Sequence, residues 1–451
     1  MDKNASDRFI DHLAMVGETQ LTEEIVQQTK MCVLDYIGCT LAGAQMLEPR
    51  SREYLKSFRT DTGLTTVVGM GEKSSLLAAA MINGIHAHVA ELDDGHRYGM
   101  MHPGAPVISA MLAAGQQEQM NGRQFMKGIV VGYEAAIRLA SAVQPNHKLR
   151  GYHATGTCGT IGVSMAIAAA LDFTKENMKS ALSAAVTSAA GVLEVIDDNS
   201  ELKPYNVGRA VVAGMNAAFI GRVGMKGPEN ILMGKRGFFS TIAEPVELSH
   251  ISEISPDQPL CIEQIYRKPY AACRHCHSAI EAALQLGRSQ EIELNQIKEI
   301  RVETYRLAVE GHDHTEIRGI SSAKMSTPYS VAVSLKCGKA DYQQFMPEYL
   351  QDAEVAGLAR KVIVCENEEL SKLMPHKRVA IVKLVMNDGQ QLTHRVDYPK
   401  GEPENPISLD ELTAKFSSLA LFAGKSEEAV SRIIHHVWHL ETNLQELYHE
   451  L

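Results

Sequence analysis

Apolar residues recur at helical spacing through most of the first 250 positions. Thr22-Glu23-Glu24 predicts the start of a helix running through Ile25 and Met31 to Leu34, with a hydroxyl to cap it and acids in its first turn. Ser74 to Val89, Val107 to Gln119, and Gly122 to Val143 follow the same period. Thr160 to Leu171 is almost wholly small and apolar, Thr174 can cap a helix through Met178, Leu182 and Val186, and Val207 to Val223 continues the series. Ala, Gly and Ser lie on several faces of these segments, so their backbones can approach closely. The pattern predicts a multi-helix domain.

The period changes near Pro256-Asp257-Gln258-Pro259. Ile297 to Val309 begins with alternating apolar and polar residues, a strand pattern. Val379 to Val385 and Leu392 to Tyr398 flank Asn387-Asp388-Gly389, which predicts a hairpin. Ala279 to Leu286 and Tyr329 to Leu335 read as helices. Ser408 to Leu451 returns to helix, with Ser408 and Glu411 placed for a capping box. The expected fold is mainly α with an inserted α+β domain: a helical domain over 1–264 and 399–451, and a smaller domain over 265–398.

Composition narrows the function. The chain has 451 residues, 45% hydrophobic and 22% charged, the balance of a soluble globular protein. Its net charge of -10 and lack of basic blocks argue against nucleic acid as a partner. The first residues hold no uninterrupted apolar run of signal-peptide type, and no apolar stretch is long enough to span a membrane. Eight scattered cysteines fit reduced thiols, so a cytoplasmic location is expected. An anionic substrate would need a locally basic pocket on this acidic chain.

The densest candidate chemistry lies between His86 and Ala114. Glu91, Asp93 and Asp94 are followed by His96 and Arg97, then by His102-Pro103-Gly104-Ala105-Pro106, all between two apolar helices. Burial of such groups moves pKa values toward neutrality, which proton transfer requires. Gly151-Tyr152-His153-Ala154-Thr155-Gly156-Thr157 opens a small-residue helix whose N-terminus could receive an anion, although close helix packing explains the glycines equally well. Lys203 precedes Pro204, which favours extended backbone and a reach into a cleft. Cys273-Arg274-His275-Cys276-His277 spells the haem-attachment string, but no export signal accompanies it and no second cysteine pair completes a zinc site. What remains there is a histidine pair at a helix start beside Arg274 and Lys268. His435 and His439 have the four-residue spacing of metal ligands without an accompanying glutamate motif, and read as a solvated face. His312 and His314 have no assigned role.

Taken in order, four of these motifs resemble the MmgE/PrpD family: the acidic run with His102 to Pro106, the Gly151-Tyr152-His153 loop with Thr155-Gly156-Thr157, Lys203 before Gly208-Arg209-Ala210, and Lys268-Pro269-Tyr270 with Cys273 to His277. The resemblance extends over nearly the whole chain. It implies a helical domain carrying both termini, an inserted lid domain and a homodimer. It also implies a lyase that needs no cofactor or metal and acts on a small di- or tricarboxylate, as 2-methylcitrate dehydratases and cis-aconitate decarboxylases do. An epimerase of an imino-dicarboxylate is the alternative. The implied catalytic residues are His102, His153, Lys203, His277, and Asp93 or Glu91, with Arg274, Arg97, Tyr152 and Thr155 as substrate contacts. The acids would orient a histidine, and closure of the lid would bring His277 to the site. Where many relatives have Asp-Phe-Asp-Asp-Thr, this chain has Glu91-Leu92-Asp93-Asp94-Gly95.

Overall fold

Side-chain caps mark where the helices begin. In the computed structural model, which describes residues 4–58, 63–197, 200–252, 258–289 and 291–451, Asn4 accepts the Asp7 amide at 3.0 Å and opens α1 (Ala5–Glu18). Thr22 caps α2 (Glu23–Lys56) through the Ile25 amide. Then come α3 (Leu76–Val89) and α4 (Gly104–Gln117). A reciprocal Asn121–Gln124 capping box starts α5 (Gly122–Val143). The single turn α6 (Asn146–Leu149) leads to α7 (Ala154–Ala170), α8 (Lys175–Ser188) and α9 (Lys203–Arg222). Pro256 and Asp257, where the composition shifts, lie outside the described residues.

Three helices depart from their predicted limits for identifiable reasons. α2 continues far beyond Leu34 because the polar residues that interrupt its apolar pattern are satisfied internally. Thr40 donates to the Tyr36 carbonyl at 2.7 Å, and Asp35 receives Lys415 at 2.6 Å. α7 begins at Ala154, before the predicted Thr160, and is buried on every face, so no polar stripe marks its start. α9 begins at Lys203. The lysine is therefore the first helical residue instead of an extended one, and Pro204 takes the first turn, where its missing N–H costs nothing.

The chain divides into two compact units. The first comprises Met1–Asp197, Leu202–Ile265 and Ser408–Leu451. It is helical apart from short elements such as the ribbon Thr65–Val67 with Glu72–Ser74. Its helices cross closely: a Cβ on Gly208 of α9 would lie 2.5 Å from the Met81 carbonyl oxygen of α3, and one on Gly162 of α7 would lie 2.6 Å from Ala136 Cβ of α5. Glu134 pins α1 to α5. It accepts from His12 at 2.7 Å and Arg138 at 2.5 Å, and its second oxygen takes the Cys261 amide at 2.8 Å. These donors outweigh burial and hold its carboxyl down at about 2. The Ser408–Glu411 capping box forms and opens the helix Leu409–Phe422, which belongs to this unit.

The second unit comprises Asp198–Glu201 and Tyr266–Ile407. Its sheet has the order Val362–Glu366, Ile297–Thr304, Ala380–Met386, Gln391–Val396. The first pair is parallel and the other two are antiparallel. The predicted hairpin forms, and Gly389 takes the left-handed φ of 91° that its turn needs. The edge strand Val362–Glu366 has a run too short to separate from helix by period alone. Helix His277–Ser289 packs on the last two strands. Among the described residues no helix is long and apolar enough to cross a membrane. The protein is thus mainly α with a small mixed sheet in its C-terminal region.

Candidate active site

α3 ends at Val89, and its last turn carries His86 and His88 on different sides. His86 faces Ser51, with Nε2 2.7 Å from the hydroxyl oxygen. His88 faces the acidic loop, where its Nδ1 lies 2.7 Å from Asp93 Oδ2. Glu91 follows directly with a φ of 57°, a left-handed conformation that costs a non-glycine residue energy and persists only where its surroundings impose it. Its carboxylate forms an ion pair with Lys203 at the start of α9. Both side chains are largely buried, so the pair is weakly screened.

The loop then turns back to the N-terminus of α4. Asp94 accepts the Tyr133 hydroxyl at 2.6 Å and the Gly104 amide at 3.0 Å. A Cβ on residue 104 would meet Tyr133 Oη at 2.6 Å and the Asp94 carboxylate at 2.8 Å, so the glycine makes this bond possible. Burial nevertheless pushes the Asp94 carboxyl up to about 7, against the pull of Tyr133. Lys415, from the helix Leu409–Phe422, donates to the Leu92 carbonyl at 2.7 Å and anchors the loop from the far end of the chain.

Three imidazoles converge here. The His88 ring is 4.9 Å from that of His102 and 5.9 Å from that of His153. His102 Nδ1 lies 2.6 Å from the Asp94 backbone carbonyl and 3.5 Å from Asp93 Oδ2. A carbonyl only accepts, so Nδ1 carries a proton, and in the neutral form of the ring the lone pair is on Nε2. His153 is set the other way. Asn206 donates one amide hydrogen to the Val192 carbonyl at 3.1 Å, which fixes the amide orientation, and directs the other at His153 Nδ1, 3.4 Å away. His153 therefore carries its proton on Nε2. Burial, with His88 and Lys203 nearby, holds its pKa well below the usual histidine range and keeps it neutral.

Thr155, in the first turn of α7, accepts the His102 amide at 3.1 Å. Arg209 donates to the carbonyls of Gly156 at 3.0 Å, Ser188 at 3.1 Å and Ala190 at 2.5 Å, tying α9 to the start of α7. The glycines in the first turns of α7 serve packing: a Cβ on Gly156 would be 2.7 Å from the Ala190 carbonyl, and one on Gly159 would be 3.0 Å from Pro106. Arg97 lies over the Tyr98 ring at 5.1 Å, and Tyr152 stacks on His147 at 4.9 Å.

The remaining expected residues stand in the second unit. His277 is buried, accepts from Arg274 at Nδ1 (2.8 Å) and donates from Nε2 to the Ala272 carbonyl at 3.1 Å. Burial first, then the charges of Arg274 and Lys268, hold its pKa far down. Arg274 also donates to Glu402 at 2.9 Å. The Tyr266 ring takes the guanidinium of Arg274 at 4.5 Å and that of Arg378 at 5.3 Å. Among the described residues of this unit, Arg267, Lys268, Arg274, Lys324 and Arg378 are buried against a single buried carboxylate, Glu402. A strongly basic interior thus exists within an acidic chain.

The first unit therefore gathers Glu91, Asp93, His102, His153, Lys203 and Thr155, while His277 and Arg274 form a second group. Sequence reasoning left out His88, Asn206 and Lys415, and named Asp94 in the acidic run without giving it a role. His88 carried a signal, since an imidazole five residues before a carboxylate at a helix end can turn onto it. The roles of the acids also shift. Asp93 bonds His88 most closely, Glu91 bonds a lysine, and a main-chain carbonyl holds His102. The donor atoms of His88, Asp93 and His102 lie within 4.8 Å of one another, near enough to share a cation. Binding one through His102 Nδ1 would cost that ring its bond to Asp94.

Comparison with known proteins agrees with this arrangement of motifs. Residues 7–250 match the MmgE/PrpD N-terminal domain, and residues 270–440 match the MmgE/PrpD C-terminal domain. A cis-aconitate decarboxylase of Aspergillus terreus is 27% identical over 89% of this chain and 86% of its own length. A cis-aconitate decarboxylase-like protein of Aspergillus oryzae is 26% identical over 98% of this chain and 95% of its own. The human cis-aconitate decarboxylase is 23% identical over 98% and 93%. With the two family domains matched in order over most of its length, this chain belongs to the MmgE/PrpD family.

Proposed function

We propose that this MmgE/PrpD lyase acts without a cofactor on a small di- or tricarboxylate, and that decarboxylation of a cis-aconitate-like acid is its reaction. The carrying observation is the pair of oppositely set imidazoles, His102 with its Nδ1 proton on a main-chain carbonyl and a neutral His153 accepting at Nδ1, beside the Glu91–Lys203 ion pair. The names of the relatives favour decarboxylation over dehydration.

In such a reaction the bond from a methylene carbon to its carboxylate breaks and CO2 leaves. The electron pair forms a new double bond, the old double bond shifts, and its far carbon takes up one proton. The enzyme must hold the carboxylates, stabilise the charge that develops and deliver that proton. Lys203 is the cation for a substrate carboxylate, which would displace Glu91. His153 presents an N–H and His102 a lone pair, an acid and a base already in separate tautomers. Asp93 acts through His88 and His102 as an orienting carboxylate, and Thr155 fixes the His102 backbone. Arg97 and Tyr152 are further candidates for substrate contact. The second unit serves as a lid, in which Arg274 and His277 add positive charge and hydrogen bonding. For His277 to move a proton, it must first release Ala272 or Arg274. The working form is a cytoplasmic homodimer.

The test is a screen of cis-aconitate, citrate, 2-methylcitrate and iminodisuccinate in D2O, followed by NMR with CO2 detection. Release of CO2 with a shifted alkene from cis-aconitate is the expected result. Deuterium at the α-carbon with neither alkene nor CO2 would move the assignment to an epimerase. Absence of turnover on all four acids would overturn the reading.

A further inference from the structure

The second unit holds a thiol–imidazole pair that the proposed proton transfer does not use. Cys273 Sγ lies 3.7 Å from His312 Nε2. His312 Nδ1 donates to the Met325 carbonyl at 2.8 Å, so the neutral ring turns its Nε2 lone pair toward the sulfur. A second histidine stands by: the His275 ring is 5.4 Å from that of His312, with its Nδ1 2.8 Å from the Tyr305 hydroxyl. Cys273 is partly exposed, so a reagent can reach it. Cys276, three residues on, is buried and takes a hydrogen bond from the Thr327 hydroxyl at 3.4 Å. A nucleophile within reach of a base that a backbone carbonyl orients is the arrangement that activates cysteine.

We infer that Cys273, with His312 as its base, is a reactive thiol that exchanges with small disulfides. His312 Nε2 takes the thiol proton, and the thiolate attacks one sulfur of the disulfide. A new S–S bond forms to Cys273 as the old one breaks. The second sulfur leaves as a thiolate and takes up the proton from His312. One thiol and one disulfide give one mixed disulfide and one thiol, so no outside oxidant is needed. Arg274 follows Cys273 directly and holds His277 and Glu402, so a group added at Cys273 would stand next to that basic cluster.

The chain supplies its own controls. Cys337 and Cys365 are also partly exposed, and burial of part of each side chain raises both thiols. The experiment treats the intact protein with oxidised glutathione between pH 6 and 8 and follows each cysteine by peptide mass. At pH 7, Cys273 should react at least about tenfold faster than Cys337 or Cys365, and its rate should change little with pH. The control rates should climb steeply over the same range. His312→Gln should bring Cys273 down to the control rate and leave Cys337 and Cys365 unchanged. A wild-type Cys273 no faster than the controls would overturn the inference, as would a folded His312→Gln protein with an unaltered Cys273 rate. If that variant does not fold, the wild-type rates and pH profile decide alone. Mass is the readout, so the outcome does not depend on which acid the enzyme turns over.

Discussion

The Nδ1 atom of His102 lies 2.6 Å from the backbone carbonyl of Asp94, and that bond decides which ring nitrogen can act as a base. Main-chain atoms do not titrate, so the tautomer holds whatever the protonation of the neighbouring acids. The proton-accepting atom is then Nε2. His102→Gln should lower kcat by about a hundredfold or more, the usual range for a lost acid or base, with a smaller change in KM. Steady-state kinetics on the acid identified in the screen would measure this. Unchanged kcat would remove His102 from the mechanism.

Glu91 and Lys203 should behave as a unit in stability but not in activity. Removing one member leaves the other's charge largely buried, so Glu91→Gln and Lys203→Met should each destabilise the fold by about 1–3 kcal/mol. The double variant should recover most of that loss. Its turnover should stay low, because the substrate loses its cation. Urea unfolding and kinetics on the four proteins test the two halves separately. Additive stability losses would mean that the pair is not coupled.

Asp94 should make stability depend on pH in an unusual direction. Its carboxyl stands at about 7 in the fold against an ordinary value near 3.8. Between those values the folded protein binds more protons at this position than the unfolded chain, so this term loses stability as pH rises from about 4 to 7. Asp94→Asn should remove that loss and gain on the order of 3 kcal/mol at pH 8, with little gain at pH 4. Unfolding curves at both pH values would show it. An equal effect at each would rule out the titration.

His86 carries the opposite sign. Burial holds it down at about 3 beside Ser51. The fold favours its neutral form, so its contribution is complete above about pH 6.5 and is lost as pH falls toward 3. His86→Gln should flatten the acid limb of the stability profile, although it costs some packing at pH 7. A wild-type limb as steep as the variant's would exclude His86 as its source.

The proposed homodimer should use the outer face of α9. Tyr205, Ile220 and Val223 lie on one stripe of the helix and its end, and all are exposed, Val223 by 72%. Light scattering should find a dimer for the native chain and a monomer for Ile220→Glu with Val223→Glu. A monomeric native protein at micromolar concentration would contradict the dimer.

Much of this molecule was legible as a string of residues. Caps and periodicity located the helices, because an N-terminal hydroxyl or amide satisfies local N–H groups whatever lies beyond. Asn387-Asp388-Gly389 announced its hairpin because the left-handed turn is a local demand. Motif order pointed to the family, and with it to His102, His153 and Lys203. Tertiary structure decided the rest, since it depends on groups far apart in the chain. Asn206 and the Val192 carbonyl orient His153, Lys415 holds a loop more than 300 positions away, and Gly104 admits Tyr133 to Asp94. Which nitrogen bears a proton, and which acid is driven toward neutrality, follow from burial and hydrogen-bond geometry, and neither is encoded in the spacing of residues along the chain.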